Sequence, residues 1–278
     1  MSASTPHAPS ATLAFLGGGN MARSLIGGLL ARGAAPGAIR VAEPVPALRQ
    51  ALSADFGVQV FAEAAEAIQG AELWLLAVKP QVMRSLCEPL AAQAAASRPL
   101  VVSIAAGVTV ARLQGWLGDA VPVVRCMPNT PALLGAGVTG LFAGPGVDAA
   151  RQALADAVLA SAGRTVWIDD EALMDAVTAV SGSGPAYVFL LAEAMQAAAQ
   201  AQGLEADAAR TLVVQTLLGA GRMLAESGEP AGELRRRVTS PGGTTQAAIE
   251  TFQAGGFEAL VGQAIDAARR RGAELAAG

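Results

Sequence analysis

The stretch VTSPGGTT, residues 238–245, contains hydroxyl side chains, a proline and two glycines directly before a helical pattern. Pro241 fixes the direction of the turn, and the two glycines expose the backbone. Amide groups at the start of a helix have no intrahelical acceptor, and the helix dipole is positive at this end. Such a turn therefore predicts a receptor for a carboxylate.

A second glycine-rich stretch, LGGGNMA at residues 16–22, lies between an apolar run and a helical pattern. Read as G-x-G-x-x-A, it predicts a dinucleotide loop with a tight turn, a close approach to a pyrophosphate and close packing of helix and strand. A turn that binds nothing is the alternative, and the flanking strand and helix favour the cofactor. The predicted cofactor residues of this loop are Gly17, Gly19, Asn20, Met21 and Ala22.

Glu43 ends the second apolar run, at the position where an acidic side chain bonds the ribose hydroxyls of NAD. A carboxylate about 4 Å from the 2'-phosphate of NADP would cost on the order of 4 kcal/mol per unit charge at an effective dielectric near 20. Glu43 therefore favours NADH. NADPH stays open as the alternative, because Arg40 and Arg49 are near enough in sequence to neutralise a phosphate.

The remaining residue types limit the chemistry. The single histidine, His7, lies near the start of the chain, so acid or base chemistry has to come from another residue type. Cys87 and Cys126 have neither metal-ligand nor disulfide spacing; we predict two small core residues and no metal site. With 19 basic and 23 acidic side chains, the net charge of −4 argues against a nucleic-acid partner.

The first half must supply the sheet that positions the cofactor. Up to about residue 170, short apolar runs alternate with helical patterns, which is typical of a parallel sheet covered by helices on both faces. We predict an α/β, Rossmann-type, doubly wound parallel sheet over residues 11–170, after a disordered tail at residues 1–10. The predicted strands begin at Thr12, Ile39, Leu73, Leu100, Val121 and Thr165, with a glycine-rich stretch from Leu133 and a helix over about residues 147–161 before the last of them.

Beyond Glu171 the pattern is helical only, with helices predicted from Pro185, from about Glu205 and from about Phe257. Their apolar residues occupy more than one face, so we predict an all-α dimerisation domain over residues 171–278; packing on the first domain is the alternative. The longest apolar runs fall short of the roughly 20 residues of a membrane-spanning helix. We expect no membrane partner and, without a secretory signal, a cytoplasmic protein.

Three further strand ends, AVKP, SIAAGV and MPNTP, contain small residues and prolines that let a flat ring approach the backbone. The carboxyl ends of strands line the ligand crevice of a doubly wound sheet. A capping or salt-bridged role is the alternative for Lys79. The cofactor contacts predicted at these ends are Ala77, Val78, Lys79, Pro80, Ala105, Ala106 and Asn129.

The helical half opens with AVTAVSGSGPAYVF, residues 176–189, whose Ser181 and Ser183 are interpreted most simply as helix caps. Taken in order, LGGGNMA, AVKP, SIAAGV, MPNTPA, SGSGPAYVF and VTSPGGTT resemble pyrroline-5-carboxylate reductase over nearly the whole chain after Ser10. The last two motifs are specific to that family. The resemblance implies NAD(P)H-dependent reduction of 1-pyrroline-5-carboxylate to L-proline by a Rossmann domain and a helical dimerisation domain, often in assemblies of several dimers.

The resemblance also implies roles for individual residues. Thr178 lies beside the substrate nitrogen, and the family's general preference for NADPH stands against the NADH suggested by Glu43. The residues implied to hold the substrate carboxylate are Ser240, Gly242, Gly243, Thr244 and Thr245.

Hydride attack on a cyclic imine is easiest when its nitrogen is protonated. Our hypothesis is that the iminium form is bound, or made by proton transfer, through Thr178 or a water that it orients. The active site is then expected between the two domains. Three rivals remain: a reductase of a six-membered cyclic imine, a non-catalytic dinucleotide sensor, and a β-hydroxyacid dehydrogenase, which usually needs a lysine that residues 171–278 lack.

Overall fold

The computed structural model describes residues 9–277, with side chains described up to Glu274. This part of the chain divides into two compact units, one formed by the residues up to Ser183 together with residues 268–277, the other by residues 184–267. The tail predicted at residues 1–10 lies, as far as residue 8, outside the described residues, as does His7. Pro9 and Ser10 have no regular secondary structure.

The first unit is built on a sheet of eight short strands. The strands are β1 (Leu13–Leu16), β2 (Ile39–Ala42), β3 (Gln59–Phe61), β4 (Leu73–Leu76), β5 (Leu100–Ser103), β6 (Val123–Met127), β7 (Gly137–Ala143) and β8 (Gly163–Trp167). Their order is β3-β2-β1-β4-β5-β6-β7-β8, and every pairing is parallel except the antiparallel one between β6 and β7. The order of connection reverses between β1 and β4, which confirms the predicted doubly wound, Rossmann-type fold.

Helices cover both faces of this sheet, because successive residues of a strand point to opposite sides. The helices of this unit are α1 (Asn20–Ala31), α2 (Pro46–Phe56), α3 (Ala64–Ala67), α4 (Pro80–Cys87), α5 (Ala91–Ser97), α6 (Val110–Leu117), α7 (Ala149–Leu159) and α8 (Met174–Val177). Leu13 and Phe15 belong to the core under α1, α2 and α7, whereas Ala14 and Leu16 belong to the core under α4, α5 and α6. Strands with four consecutive buried residues result.

Two strands differ from the sequence prediction. The edge strand β3 was not predicted, and the glycine-rich stretch from Leu133 contains β7, which pairs with both β6 and β8. Glycine is unfavourable inside a strand, but here it allows Val177 to pack closely on β7. A Cβ on Gly140 would lie 2.5 Å from a methyl carbon of Val177.

The second unit is helical, and between Trp167 and Ala277 all regular elements are helices or helical turns. Its elements are α9 (Gly184–Ala201), α10 (Ala206–Glu226), α11 (Ala231–Arg237), α12 (Thr244–Ala254) and α13 (Phe257–Ala277), whose last residues, from Ala268, belong to the first unit. The predicted helices are confirmed, and α11 is an addition. None of the helices in the described part of the chain combines the length and the apolar character that a membrane crossing requires.

Both cysteines are buried in the core of the first unit, as predicted. Burial raises the pKa of the Cys87 thiol to about 12 and raises that of Cys126 well above its usual value. Both side chains therefore stay protonated near neutral pH and act as small apolar residues.

Gly28 is a point of close approach between α1 and the segment after α7. A Cβ on Gly28 would overlap the carbonyl of Ser161, whereas a Cβ on Gly27 would meet only a ring carbon of Phe56 at 3.5 Å. We expect Gly28→Ala to lower the free energy of unfolding by roughly 2 kcal/mol. Gly27→Ala should raise it by up to about 1 kcal/mol, because alanine favours helix over glycine. Urea unfolding of both variants measures the difference, and equal effects would contradict this packing.

Candidate active site

A cleft of about 650 Å³ opens at the carboxyl ends of the central strands β1, β2 and β4. It is lined by the loop after each strand: Gly17, Gly18 and Gly19 from the first, Glu43 and Pro44 from the second, and Ala77, Val78 and Lys79 from the third. Six of the predicted cofactor residues are thereby brought together: Gly17, Gly19, Glu43, Ala77, Val78 and Lys79. The cleft lies at the switch point of the sheet, where dinucleotides bind in this fold.

The loop between β1 and α1 has the geometry of a phosphate cradle. Gly17 has φ +106°, and a Cβ there would lie 2.6 Å from the carbonyl oxygen of Ala77, so only glycine fits. Gly19 occupies the N-cap position of α1 and has no side chain to cover the first-turn amides. These amides are therefore open to an anion, and the loop fits the pyrophosphate of a nicotinamide dinucleotide.

Glu43 is buried at the wall of this cleft and is held by two backbone amides. Its Oε2 accepts a hydrogen bond from Gly18 N at 3.0 Å, and its Oε1 accepts one from Val45 N at 3.0 Å. The carboxylate thus ties the phosphate loop to the end of β2. A second carboxylate, Glu63, lines the same cleft and is exposed.

The two arginines that were considered as partners for a phosphate are engaged elsewhere. Arg49 Nη1 donates to the carbonyl oxygens of Glu43 and Pro44, at 2.6 and 2.7 Å. The Arg40 guanidinium lies over the Phe61 ring, 4.4 Å from the ring centroid. It donates hydrogen bonds to Gln59 Oε1 and to the carbonyl oxygens of Glu66 and Ala67 in α3. The one cation that lines the cleft among the described residues is Lys79.

The other predicted cofactor residues do not line this cleft. Ala22 is buried in the core under α1, where Met21 packs against it, and Ala105 is buried in the core on the other face of the sheet. Ala106 is exposed after β5, and Pro80 is exposed at the start of α4. Asn20 lines a separate hollow of about 360 Å³ beside α1. Asn129 is half-buried, and both ends of its side-chain amide are bonded within the protein.

Thr178 begins a π-helical turn, Thr178–Gly182, between α8 and α9. The turn is closed by a hydrogen bond from Ser183 N to the Thr178 carbonyl at 2.9 Å. The Thr178 hydroxyl donates to the carbonyl of Met174 at 2.9 Å, so its lone pairs are the part available to a ligand. Turns of this kind occur often at functional sites.

The predicted carboxylate receptor, in the second unit, is a turn followed by α12, but not all of its amides are bare. Gly242 N donates to the side chain of Gln246 at 2.7 Å, and Gly243 N donates to the carbonyl of Ser240 at 3.0 Å. The amides of Thr244, Thr245 and Gln246 lie in the first turn of α12 and have no acceptor within the helix, so they are the donors available to a carboxylate. The amides of both glycines are therefore engaged within the turn, and the role of Gly242 and Gly243 in holding a carboxylate stays a prediction. The sequence did not indicate that the side chain of Gln246 would accept the hydrogen bond of the Gly242 amide.

An ion-pair cluster between β6 and the residues that precede the π-turn in sequence was also missed. Arg125, on β6, is buried. Its Nη1 lies 3.2 Å from Glu171 Oε1, and its Nη2 lies 3.5 Å from Asp175 Oδ1. Glu171 Oε1 also accepts from Val110 N, the first amide of α6, at 2.8 Å. The signal was present in the sequence as one charged residue inside an otherwise apolar strand, which usually implies a buried partner.

Comparison with known proteins covers most of the chain. The family described as pyrroline-5-carboxylate reductase dimerisation matches residues 171–275, and the one described as NADP oxidoreductase, coenzyme F420-dependent, matches residues 12–107. A pyrroline-5-carboxylate reductase of Pseudomonas aeruginosa is 52% identical over 264 residues, covering 95% of this chain and 96% of that protein.

Solved structures give the same result. A pyrroline-5-carboxylate reductase from Coxiella burnetii has a TM-score of 0.93 and 39% identity, covering 96% of this chain and 99% of its own. Plasmodium falciparum pyrroline carboxylate reductase, solved with NADP bound, has a TM-score of 0.84 and 26% identity, covering 98% and 100%.

Proposed function

The chain belongs to the pyrroline-5-carboxylate reductase family and reduces 1-pyrroline-5-carboxylate to L-proline with a reduced nicotinamide cofactor, and we propose how its residues do so. The observation that carries the assignment is 52% identity over 95% of the chain, which extends from the dinucleotide loop to the helical half. The test is oxidation of NADH or NADPH on adding the five-membered imine, with the six-membered analogue as comparison. A protein that binds cofactor but oxidises none would be a sensor instead.

The substrate carboxylate is held, in this proposal, at the start of α12. The first-turn amides and the hydroxyls of Thr244 and Thr245 supply donors, and the positive end of the helix dipole favours the anion. Ser240, Gly242 and Gly243 shape the turn, and Gly242 with φ +68° supplies its left-handed residue. The carboxylate is thereby fixed at one side of the ring, and the imine group is left free to react.

Thr178 is proposed to meet the imine nitrogen. Because its hydroxyl proton is donated to Met174 O, the oxygen presents lone pairs and can accept from an N–H group. This orientation favours binding of an already protonated imine over donation of a proton by the threonine. The bound cofactor supplies the hydride, whose addition to the imine carbon converts the iminium into the neutral secondary amine of proline with no further proton needed at that step.

The cofactor is proposed to be NADH rather than NADPH. Glu43 is fixed by two amides beside the site of the adenosine ribose and cannot turn away without breaking both hydrogen bonds. Arg40 and Arg49, the nearest cations in sequence, are committed to other groups. A 2'-phosphate would therefore meet the Glu43 carboxylate without compensation from either arginine, which disfavours NADPH.

Glu43→Ser tests this choice. We expect the ratio of kcat/KM for NADPH to kcat/KM for NADH to rise about tenfold or more, because the repelling charge is removed. The readout is a ratio, since loss of the two hydrogen bonds also loosens the loop for both cofactors. Glu63→Ser removes an exposed carboxylate from the same cleft and should shift the ratio much less. An unchanged ratio in Glu43→Ser would show that Glu43 does not read the ribose.

The match to a dimerisation domain indicates a homo-oligomer. We propose a dimer or an assembly of dimers, with a cofactor domain at residues 11–170 and a substrate-binding and dimerisation domain at residues 171–278, in the cytoplasm and without nucleic-acid or membrane partners. Large apolar side chains of the second unit support a partner subunit. Examples that are more than half exposed are Phe189, Leu190, Leu212, Leu218 and Leu260.

A further inference from the structure

The side-chain amide of Asn129 joins two segments of the first unit that are far apart in sequence. Its Oδ1 accepts from Val138 N, the second residue of β7, at 2.9 Å. Its Nδ2 donates to the carbonyl of Ser181, in the π-turn, at 3.1 Å. The chain after β6 is therefore tied directly to the segment that begins with Thr178.

The local sequence removes one ordinary donor for the carbonyl of Ser181. In a continuous α-helix, the carbonyl of residue 181 would accept from the amide of residue 185. Residue 185 is proline, which has no N–H, so that hydrogen bond cannot form. Ser181 is half-buried, where an unpaired carbonyl would be costly, and Asn129 supplies a donor from another element.

Two packing contacts hold the same segment. A Cβ on Gly182 would lie 2.6 Å from the methyl carbon of Met127, at the end of β6, so this glycine is in close contact with the strand end. Val177 packs in the same way on Gly140 of β7. Thr178 lies between these two contacts in sequence, so its position depends on β6 and β7 as well as on its hydrogen bond to Met174 in α8.

We propose that Asn129 is a positioning residue for hydride transfer: its hydrogen bond to Ser181 fixes the π-turn and so the Thr178 hydroxyl. The inference rests on the proposed function, in which Thr178 meets the imine nitrogen. It differs from the sequence prediction, in which Asn129 contacts the cofactor. A cofactor ligand acts mainly on the binding of NADH, whereas a positioning residue acts on the rate of the step in which bound reactants must be aligned.

Asn129→Asp is the variant that separates these roles. The carboxylate has nearly the same size and can still accept from Val138 N, but it replaces the donor to Ser181 by an oxygen. We expect kcat for the five-membered imine to fall about tenfold, with KM for NADH changed by less than about twofold. The primary isotope effect with deuterated reduced cofactor should rise, because hydride transfer becomes slower relative to the other steps.

A second substitution tests the physical cause. Pro185→Ala restores an N–H four residues after Ser181, so the double variant Asn129→Asp/Pro185→Ala gives that carbonyl a new donor. We expect the double variant to recover kcat by about threefold or more over Asn129→Asp. No recovery would mean that the bond to Ser181 is not what the single variant breaks, and would overturn the proposal.

Other outcomes are also decisive. A rise in KM for NADH with kcat retained would make Asn129 a cofactor ligand and overturn the positioning role, as would unchanged kcat and isotope effect. Thermal unfolding checks that each variant is folded. If Asn129→Asp is not folded, Asn129→Ala is measured in the same way, because alanine removes the donor to the Ser181 carbonyl without placing a carboxylate oxygen against it. A wild-type protein that does not oxidise NADH or NADPH with the imine would contradict the proposed function itself.

Discussion

Replacing Thr178 with alanine is expected to lower kcat/KM for 1-pyrroline-5-carboxylate by about 10- to 100-fold, while the KM of the reduced cofactor changes little. The hydroxyl donates to Met174 O at 2.9 Å and presents its lone pairs. A hydrogen bond from the iminium N–H to this oxygen involves a charged group, and such bonds contribute about 1.5–3 kcal/mol. Alanine removes the acceptor and with it the preference for the protonated ring.

Two further substitutions at Thr178 separate the hydroxyl from the shape of the side chain. Thr178→Ser keeps the hydroxyl and its bond to Met174, so we expect activity within about threefold of wild type. Thr178→Val keeps the branched shape without the hydroxyl and should be about as slow as alanine. Steady-state rates over a range of imine concentrations measure these effects. Alanine near the wild-type rate, or valine as active as serine, would show that the hydroxyl has no part in the reaction.

The central strands could be predicted from the sequence because burial on both faces leaves a direct mark. The runs Leu13–Leu16, Leu73–Leu76 and Leu100–Ser103 are almost entirely apolar and are buried throughout. Strand β3 lies at the edge and has an exposed Gln59, so its pattern is too short and too polar to be recognised. Strand β7 was not predicted because glycines in a sequence usually indicate turns. In the folded chain, Gly140 leaves the space that the Val177 side chain occupies.

The candidate site divides in the same way. Gly17, Gly19 and Glu43 could be predicted because a dinucleotide loop follows from local sequence and from the order of strand and helix. Which donors and acceptors are already used could not be predicted, because that depends on rotamers and on neighbours distant in sequence. Glu43 is tied to Gly18 across 25 positions and Asn129 to Ser181 across 52 positions. The loss of the Gly242 amide to Gln246 is local, but it depends on a side-chain conformation that the sequence does not specify.

Replacing Thr244 with proline is expected to raise KM for 1-pyrroline-5-carboxylate by about 10- to 100-fold, because it deletes one amide donor from the carboxylate receptor. The substitution suits the local backbone. Thr244 is the first residue of α12, where an amide has no intrahelical acceptor and proline is well tolerated. Gly243 before it has φ −84° and ψ 171°, the extended conformation that a residue preceding proline adopts.

The matched control is Thr244→Val, which removes the hydroxyl but keeps the amide. If the amide binds the carboxylate, proline should raise KM well beyond the effect of valine. The product carries the same carboxylate, so the dissociation constant of L-proline should rise in parallel, while that of NADH stays within about twofold because its site is formed by other residues. Equal effects of proline and valine would assign the contact to the hydroxyl instead. Unchanged binding of both imine and L-proline in Thr244→Pro would mean that the Thr244 amide does not hold the carboxylate.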